Sequence, residues 1–227
     1  MGFNLNNCYS HPGKLLKVHL ENVALLSKRF TSSDAAGLVS LFHDIGKVNP
    51  NFQEKLNGLC PKGYDHHAYL SAYAFLMFLI KNPDIFKALV PQGFNSNNFL
   101  ISLITIVAKH HGDLPDMMPN DGNPILSGYE VSNLYAFLDK EHISFGNVFS
   151  ELLSIEPSMP SSIEEDRIRL FLKKIVNKPN DYNVALPFYL EIQSIFSALI
   201  KADKSDAGDM VSTIDKESED LKSFSHI

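Results

Sequence analysis

Apolar residues recur along this chain at steps of three and four, the spacing of one face of an α-helix. The first such segment spans residues 15–30, and a break at residues 31–34 provides an N-cap for a second helix. The last apolar position of this second helix is Ile45, and Gly46 is predicted to end it.

The same spacing predicts further helices over residues 65–80, 97–111, 129–140, 162–176 and 187–203. Pro83 and Gly112 end two of them, and the proline- and glycine-rich residues 111–128 form a long loop. No strand alternation and no internal repeat are found. We predict an all-α helical bundle.

Composition bounds the number of domains and the compartment. With 227 residues, 44% of them hydrophobic, the chain is long enough for one core. We expect a single domain over residues 1–227, with its core at about 8–207 and a peripheral tail at 208–227. Two cysteines cannot build a disulfide framework, and no apolar stretch reaches the roughly 18 residues of a membrane span. We expect a cytoplasmic protein without a membrane segment.

Net charge restricts the mode of nucleic-acid binding. The chain has 20 basic and 26 acidic residues, which give a formal charge of −6. A protein that holds nucleic acid by its own basic surface would carry a positive charge instead. If the substrate is a polyanion, bound metal ions or a partner must supply positive charge near it.

Several histidines and one aspartate occupy positions where the helical pattern calls for apolar residues. His19 lies in line with Leu16 and Val23, and His110 follows Leu103 in the same way. A lone histidine on an apolar face is more commonly a hydrogen-bonded core residue, so each is weak when taken alone. The joint set is more specific, because separate helices each deliver nitrogen or oxygen ligands and no thiolate, as in metal sites of helical bundles. The set is His19, His43, Asp44, His67, His110, His111 and Asp203.

At these residues the sequence resembles the HD superfamily of metal-dependent phosphohydrolases, and within it the HD nucleases of type I CRISPR interference. The resemblance spans residues 8–207, and the doubled histidine before a glycine points to the CRISPR branch. The motifs are LLKVHLENVA, LFHDIGK, HHAYLSA, AKHHG and LIKAD. It implies an HD-domain bundle with two divalent metal ions in its core, chosen from Mn, Ni, Co, Fe or Mg.

The resemblance also implies roles for individual residues. Asp44 would bridge two metals and take part in catalysis, with Lys47 contacting the scissile phosphate and Ser71 supporting His67. One metal would be bound by His19, His43, Asp44 and Asp203, and the other by Asp44, His67, His110 and His111.

Some polar residues compete with this assignment or lie outside it. His66 is a neighbour of His67, and Asp206 competes for the metal of Asp203 if that helix continues. His43 and Asp44, if helical, point about 100° apart. The remaining histidines are interpreted as surface residues, namely His11, His142 and His226.

The implied function is a DNA nuclease that prefers single strands and works with a CRISPR-associated helicase and the Cascade surveillance complex. No G-x-x-x-x-G-K-[ST] phosphate loop occurs here, so the chain is expected to be a stand-alone nuclease or the N-terminal piece of a helicase-nuclease. The alternatives are an HD phosphohydrolase acting on nucleotides or cyclic nucleotides, and a degenerate HD domain serving as a scaffold.

Overall fold

Helices dominate the computed structural model of the chain, which describes residues 3–114, 137, 145–153 and 186–208. The helices are α1 (Leu16–Phe30), α2 (Asp34–Phe42), α3 (Pro50–Leu56), α4 (His67–Lys81), α5 (Pro83–Leu89), α6 (Ser96–Ala108), α7 (Gly146–Leu153) and α8 (Leu186–Ala207). Between α2 and α3 lies a 3₁₀ helix, Ile45–Val48. The predicted all-α class is confirmed.

The core forms where α1, α2, α4, α6 and α8 pack together. On α1, Leu16, Leu20 and Val23 are fully buried, one above the other on the face predicted from the sequence. Helix α2 is apolar on all sides, and it is buried along nearly its whole length between α1, α8 and α4. At its end, the ring of Phe42 packs at 5.0 Å from the ring of Phe75.

Most predicted helix boundaries agree with the structure within a few residues, and one differs in a way that shapes the site. Helix α6 ends at Ala108, three residues before the predicted end, because Lys109 leaves the helical conformation with φ −116° and ψ 15°. His110 and His111 therefore lie in a turn after α6. Helix α8 continues past the predicted end at residue 203 to Ala207.

The predicted end of the second helix at Gly46 is wrong. Helix α2 ends at Phe42, and Asp44 adopts φ −115° and ψ 7°, outside the helical region. Gly46 lies in the 3₁₀ helix, where a Cβ atom would collide with the backbone carbonyl of His67 and lie 2.9 Å from Ser71 Oγ. A glycine is required there because α4 approaches closely.

A short antiparallel hairpin precedes α1 and was not predicted. Its strands are β1 (Tyr9–His11) and β2 (Lys14–Leu15), joined by a turn at Gly13, whose φ is +82°. Strands of three and two residues are too short for a recognisable alternation. The hairpin packs against α1 and the 3₁₀ helix, and so lies next to the end of α2.

Several predictions lie outside the described residues. These are the loop beyond residue 114, the helix at 129–140 except Phe137, the helix at 162–176 and the tail from 209. Among the helices that the structure describes, none has both the length and the hydrophobicity of a membrane span. The division into one domain stays a prediction.

Candidate metal centre

Seven polar side chains from five parts of the fold converge at one point. His19 comes from α1, and Asp203 comes from α8. The others lie at helix ends, where the backbone turns and side chains can face inward. They are His43 and Asp44 after α2, His67 at the start of α4, and His110 and His111 after α6. The structure thus brings together every metal-ligand candidate from the sequence analysis.

Asp44 lies at the middle of this centre and faces two groups of histidines. Its Oδ2 atom is 3.3 Å from His19 Nε2 and 3.4 Å from His43 Nε2. Its Oδ1 atom is 3.2 Å from His67 Nε2 and 3.3 Å from His110 Nε2. One carboxylate therefore presents a separate oxygen to each group, which is the arrangement that a bridging ligand requires.

Ligand-type atoms in the centre form two groups of four that share Asp44. Within each group, one atom per residue lies within 4.8 Å of the others. The groups are His19, His43, Asp44 and Asp203, and Asp44, His67, His110 and His111. This is the division that the resemblance implied, although the role of each residue as a ligand stays a prediction.

The unsatisfied polar atoms in the centre fit a cation. His19 Nε2, His43 Nε2, His110 Nε2 and Asp44 Oδ1 are all buried and form no hydrogen bond. Burying such atoms without a partner costs free energy, so a cluster of them at one point calls for a group that satisfies them together. Imidazole nitrogen and carboxylate oxygen are ligands of divalent transition metals. The donor set therefore fits divalent metal ions.

Free carbonyls at helix ends orient two of the histidines. His43 Nδ1 donates to the carbonyl of Ser40 at 2.6 Å, and His110 Nδ1 donates to the carbonyl of Val107 at 2.7 Å. Both carbonyls belong to the last turn of a helix, where no amide of the same helix is available to them. With Nδ1 carrying the proton, a neutral ring presents the lone pair of Nε2 to the centre, as a metal ligand must.

The expectation that His43 and Asp44 point 100° apart on a helix is wrong. Because α2 ends at Phe42, Asp44 leaves the helical conformation and its Oδ2 turns to within 3.4 Å of His43 Nε2. The end of α2 is what allows two consecutive residues to face one centre.

Opposite charges control the titration of the buried groups. Burial alone lowers the pKa of His43, but the charges of Asp44 and Asp203 outweigh it and raise that pKa to about 9. Burial likewise disfavours the charged form of Asp44, yet His43 and Lys47 hold its pKa well below the usual value. For Asp203, contact with His43 overcomes burial and lowers the pKa to about 2. Both carboxylates are ionised at neutral pH, the state in which they bind cations.

His67 and His111 form the more accessible part of the centre. Their Nε2 atoms are 2.7 Å apart, and His111 is exposed. Burial lowers the pKa of His67, while burial and the charges of His110 and His67 lower that of His111 to about 4. Both rings are neutral at pH 7 and able to bind a metal. The competing residue His66 is exposed and lies outside both groups.

Lys47 is buried in the centre itself. Its ammonium lies 2.6 Å from Asp44 Oδ2 and donates to the carbonyl of Ser10 in the hairpin at 3.3 Å. Its predicted contact with a substrate phosphate stays a prediction. Ser71 is fully buried, and its Oγ accepts the N–H of Gly46 at 2.8 Å, so it fixes the turn that carries Asp44 to the start of α4.

Sequence reasoning missed His11 and gave Asp206 a different role. His11, interpreted from the sequence as a surface residue, is half-buried: its ring lies 5.4 Å from that of His19, and its Nε2 is buried without a hydrogen bond. It follows no helical stripe because it belongs to the hairpin, so the sequence carried no signal for it. His142 and His226 lie outside the described residues. Asp206 belongs to neither group of four and instead contacts the far side of His19.

Comparison with known proteins gives one family. The family model described as "Cas3, HD domain" matches residues 14–153, more than half of the chain. The matched range includes six of the seven candidate ligands and Lys47, whereas Asp203 and Asp206 lie beyond it. A search of curated proteins finds no match.

Proposed function

Since the chain belongs to the Cas3 HD-domain family, which implies a metal-dependent HD nuclease of CRISPR systems, we propose that it hydrolyses phosphodiester bonds of DNA. The preferred substrate in this proposal is single-stranded DNA, and two divalent metal ions would be held by the two groups of candidate ligands that share Asp44. Mn, Ni, Co, Fe and Mg are the candidate metals.

The observation that carries the proposal is the position of Asp44 between two groups of histidines. Its Oδ2 atom faces His19 and His43, and its Oδ1 atom faces His67 and His110. When bound, two divalent ions supply an activated water and positive charge for the phosphodiester and its leaving oxygen. The residues of the chain hold the ligand atoms in place before substrate arrives, so little reorganisation is needed during the reaction.

Exposure around the centre defines the side from which a phosphodiester approaches. His19, His43 and Asp44 form a buried floor, with side chains at most 2% exposed. Asp203, with a side chain that is 24% exposed, and the exposed His111 lie at the rim. A substrate phosphate therefore reaches the floor past His111 and Asp203. Lys47, held at 2.6 Å from Asp44 Oδ2, then lies where its charge acts on that phosphate.

The negative net charge supports DNA delivery by a partner. With a formal charge of −6, the chain does not attract a polyanion over its surface as a whole, so attraction is local to the metal centre. In this proposal a CRISPR-associated helicase and the Cascade complex present the strand, and the reaction takes place in the cytoplasm.

The test is cleavage of circular single-stranded DNA by metal-stripped protein to which Mn²⁺, Ni²⁺, Co²⁺ or Mg²⁺ is returned. We expect at least one metal to restore cleavage in the wild type. Asp44→Ala and the near-isosteric Asp44→Asn should lose both bound metal and cleavage while keeping helical circular dichroism. Asp84→Ala, which removes an exposed carboxylate on α5, serves as the matched control and should cleave normally.

Two results would contradict the proposal. Full cleavage by both Asp44 variants would exclude the shared carboxylate from the reaction. Hydrolysis of nucleotides or cyclic nucleotides without DNA cleavage, under every metal, would favour the small-molecule phosphohydrolase instead.

A further inference from the structure

We propose that Asp206 is a positioning residue that fixes the imidazole of His19 with Nε2 directed into the metal centre. The inference rests on the proposed function, because it takes His19 as a metal ligand. His19 Nδ1 and Asp206 Oδ2 lie 2.6 Å apart, and both side chains are fully buried. On the other edge of the ring, His19 Nε2 lies 3.3 Å from Asp44 Oδ2 and 3.4 Å from Asp203 Oδ1.

His19 has a side-chain acceptor, unlike the two histidines at helix ends. His43 and His110 follow helix ends and donate to carbonyls three residues earlier. His19 lies in the first turns of α1, and the carbonyl three residues before it, that of Leu16, belongs to the hydrogen-bond pattern of the helix. His19 Nδ1 contacts a side chain of another element instead, Asp206 of α8.

Asp206 is itself held as an ionised acceptor by donors from two other elements, the hairpin and α1. Lys14 Nζ, from the hairpin, lies 2.6 Å from Oδ2, and Asn22 Nδ2, from α1, donates to Oδ1 at 3.0 Å. These contacts and the one with His19 lower its pKa in spite of burial. Both oxygens are occupied, which is why Asp206 does not compete with Asp203 for a metal. A fixed carboxylate accepts only from Nδ1–H, so the lone pair of the neutral ring lies on Nε2.

The first experiment reads the tautomer of His19 in the metal-free protein, where no activity is involved. Histidine labelled with ¹⁵N is observed by long-range ¹⁵N–¹H correlation spectra, with His19 assigned by the variant His19→Gln. We expect Nδ1 of His19 to carry a proton in the wild-type protein. A wild-type ring without a proton on Nδ1 would overturn the inference without any variant at Asp206.

The second experiment measures Mn²⁺ and Ni²⁺ binding by calorimetry and metal content after desalting. In Asp206→Asn, we expect affinity at one of two sites to fall roughly 10- to 100-fold, because a supporting hydrogen bond to a ligand is lost. Affinity at the other site, with His67, His110 and His111, should stay within about twofold of wild type, since those residues do not contact Asp206. Asp84→Asn is the control: it makes the same change at an exposed carboxylate on α5 that belongs to neither group, and both sites should bind as in wild type.

The results separate a positioning role from a structural one. If Asp206→Asn binds both metals as wild type does and keeps the Nδ1–H tautomer, the inference is wrong. Equal loss of affinity at both sites in Asp206→Asn would show that Asp206 only ties the elements together, which also overturns it. If the wild type binds no metal, the proposed function and the metal role of His19 fail together. The tautomer measurement then still decides whether Asp206 sets the orientation of the ring.

Discussion

At the scale of single residues, Lys47 lies in an environment unlike that of an ordinary surface lysine. It is 4% exposed, its ammonium contacts Asp44 Oδ2 at 2.6 Å, and it lies 5.5 Å from the centre of the Phe52 ring. A buried lysine needs a partner because the isolated charge is costly to desolvate. Asp44 is that partner, and in the proposed site a metal would share the same carboxylate. Lys47 either fixes the position of the Asp44 carboxylate or contacts the substrate phosphate.

Lys47→Met separates these roles because it removes the charge and keeps most of the volume. If Lys47 acts on the phosphate, cleavage should fall roughly 10²- to 10³-fold, the usual loss for one transition-state donor. Two metals should stay bound, since removing a neighbouring positive charge does not weaken a cation site. Cleavage of single-stranded DNA and metal content are measured on the same preparation.

Two other outcomes of Lys47→Met would contradict a role of Lys47 at the phosphate, for different reasons. A parallel loss of metal and cleavage would assign Lys47 to organising Asp44. Wild-type cleavage would remove it from the mechanism. Lys55→Met, which changes a lysine paired with Asp65 at the surface, is the matched control.

At the scale of elements, the turn between α2 and α3 determines the geometry of the centre. Gly46 N–H donates to Ser71 Oγ at 2.8 Å, and a Cβ on Gly46 would collide with the carbonyl of His67. Asp44 and His67 are therefore held at their separation by one close contact between the turn and α4. A side chain at Gly46 would push the backbone of His67 away from Asp44 while leaving both candidate ligand side chains unchanged.

We expect Gly46→Ala to lower the free energy of unfolding by about 1–3 kcal/mol, as overpacking of a dense core does. Metal content should fall with it. Gly208→Ala is the control, because an added Cβ there meets nothing closer than 3.4 Å. The measurement is urea unfolding in chelator, followed by metal content of the folded variants. Unchanged stability and metal content in Gly46→Ala would show that the turn adapts and does not set the ligand distance.

The long elements could be predicted from the sequence because their signals are local. Helices α1, α4, α6 and α8 bury one apolar face or more, and three- and four-residue spacing marks them. The end of α2 could not be predicted. Gly46 has the sequence signature of a helix C-cap, whereas its actual role depends on the close approach of α4, which local sequence does not show. The hairpin and the short helices α3 and α5 were missed because they carry too few residues to show a period.

Which residues form the site could be predicted better than how their side chains are oriented. Candidate ligands stand out in the sequence because histidine and aspartate interrupt apolar stripes, and the resemblance grouped them around Asp44. What the sequence does not carry is which atom each ring directs inward. That depends on Ser40, Val107 and Asp206, and the last of these lies 187 residues from His19. His11 was missed for the same reason: its position depends on the packing of the hairpin.

At the scale of the whole molecule, the centre joins parts of the chain that are distant in sequence. Lys14 in the hairpin, His19 in α1 and Asp206 in α8 form one buried contact, next to ligands from α4 and the turn after α6. A metal that binds these ligands binds only the folded chain. It therefore stabilises the fold as a whole, by about 2.7 kcal/mol when its concentration is a hundred times its Kd.

Without metal, two histidines give the fold opposite responses to pH. The pKa of His111 is about 4 when folded, below the value near 6.5 of an unfolded chain, so falling pH from 6.5 to 4 favours unfolding. The pKa of His43 is about 9 when folded, so its stabilising contribution is present below pH 6.5 and is lost as pH rises towards 9. For these two groups, metal-free stability is greatest near pH 6.5.

Metal binding should cancel the second of these responses. A metal ligand must be unprotonated, so a metal at His43 displaces the proton that the metal-free fold keeps up to about pH 9. The stabilisation that Ni²⁺ or Mn²⁺ adds should therefore grow from pH 6.5 to 8.5, by up to about 1.4 kcal/mol per pH unit for one displaced proton. It is measured as the difference between urea unfolding with saturating metal and with chelator at each pH. Asp44→Asn should show no difference at any pH. A metal increment in the wild type that is constant over this range would show that His43 is not a ligand, because no proton would then be released from it.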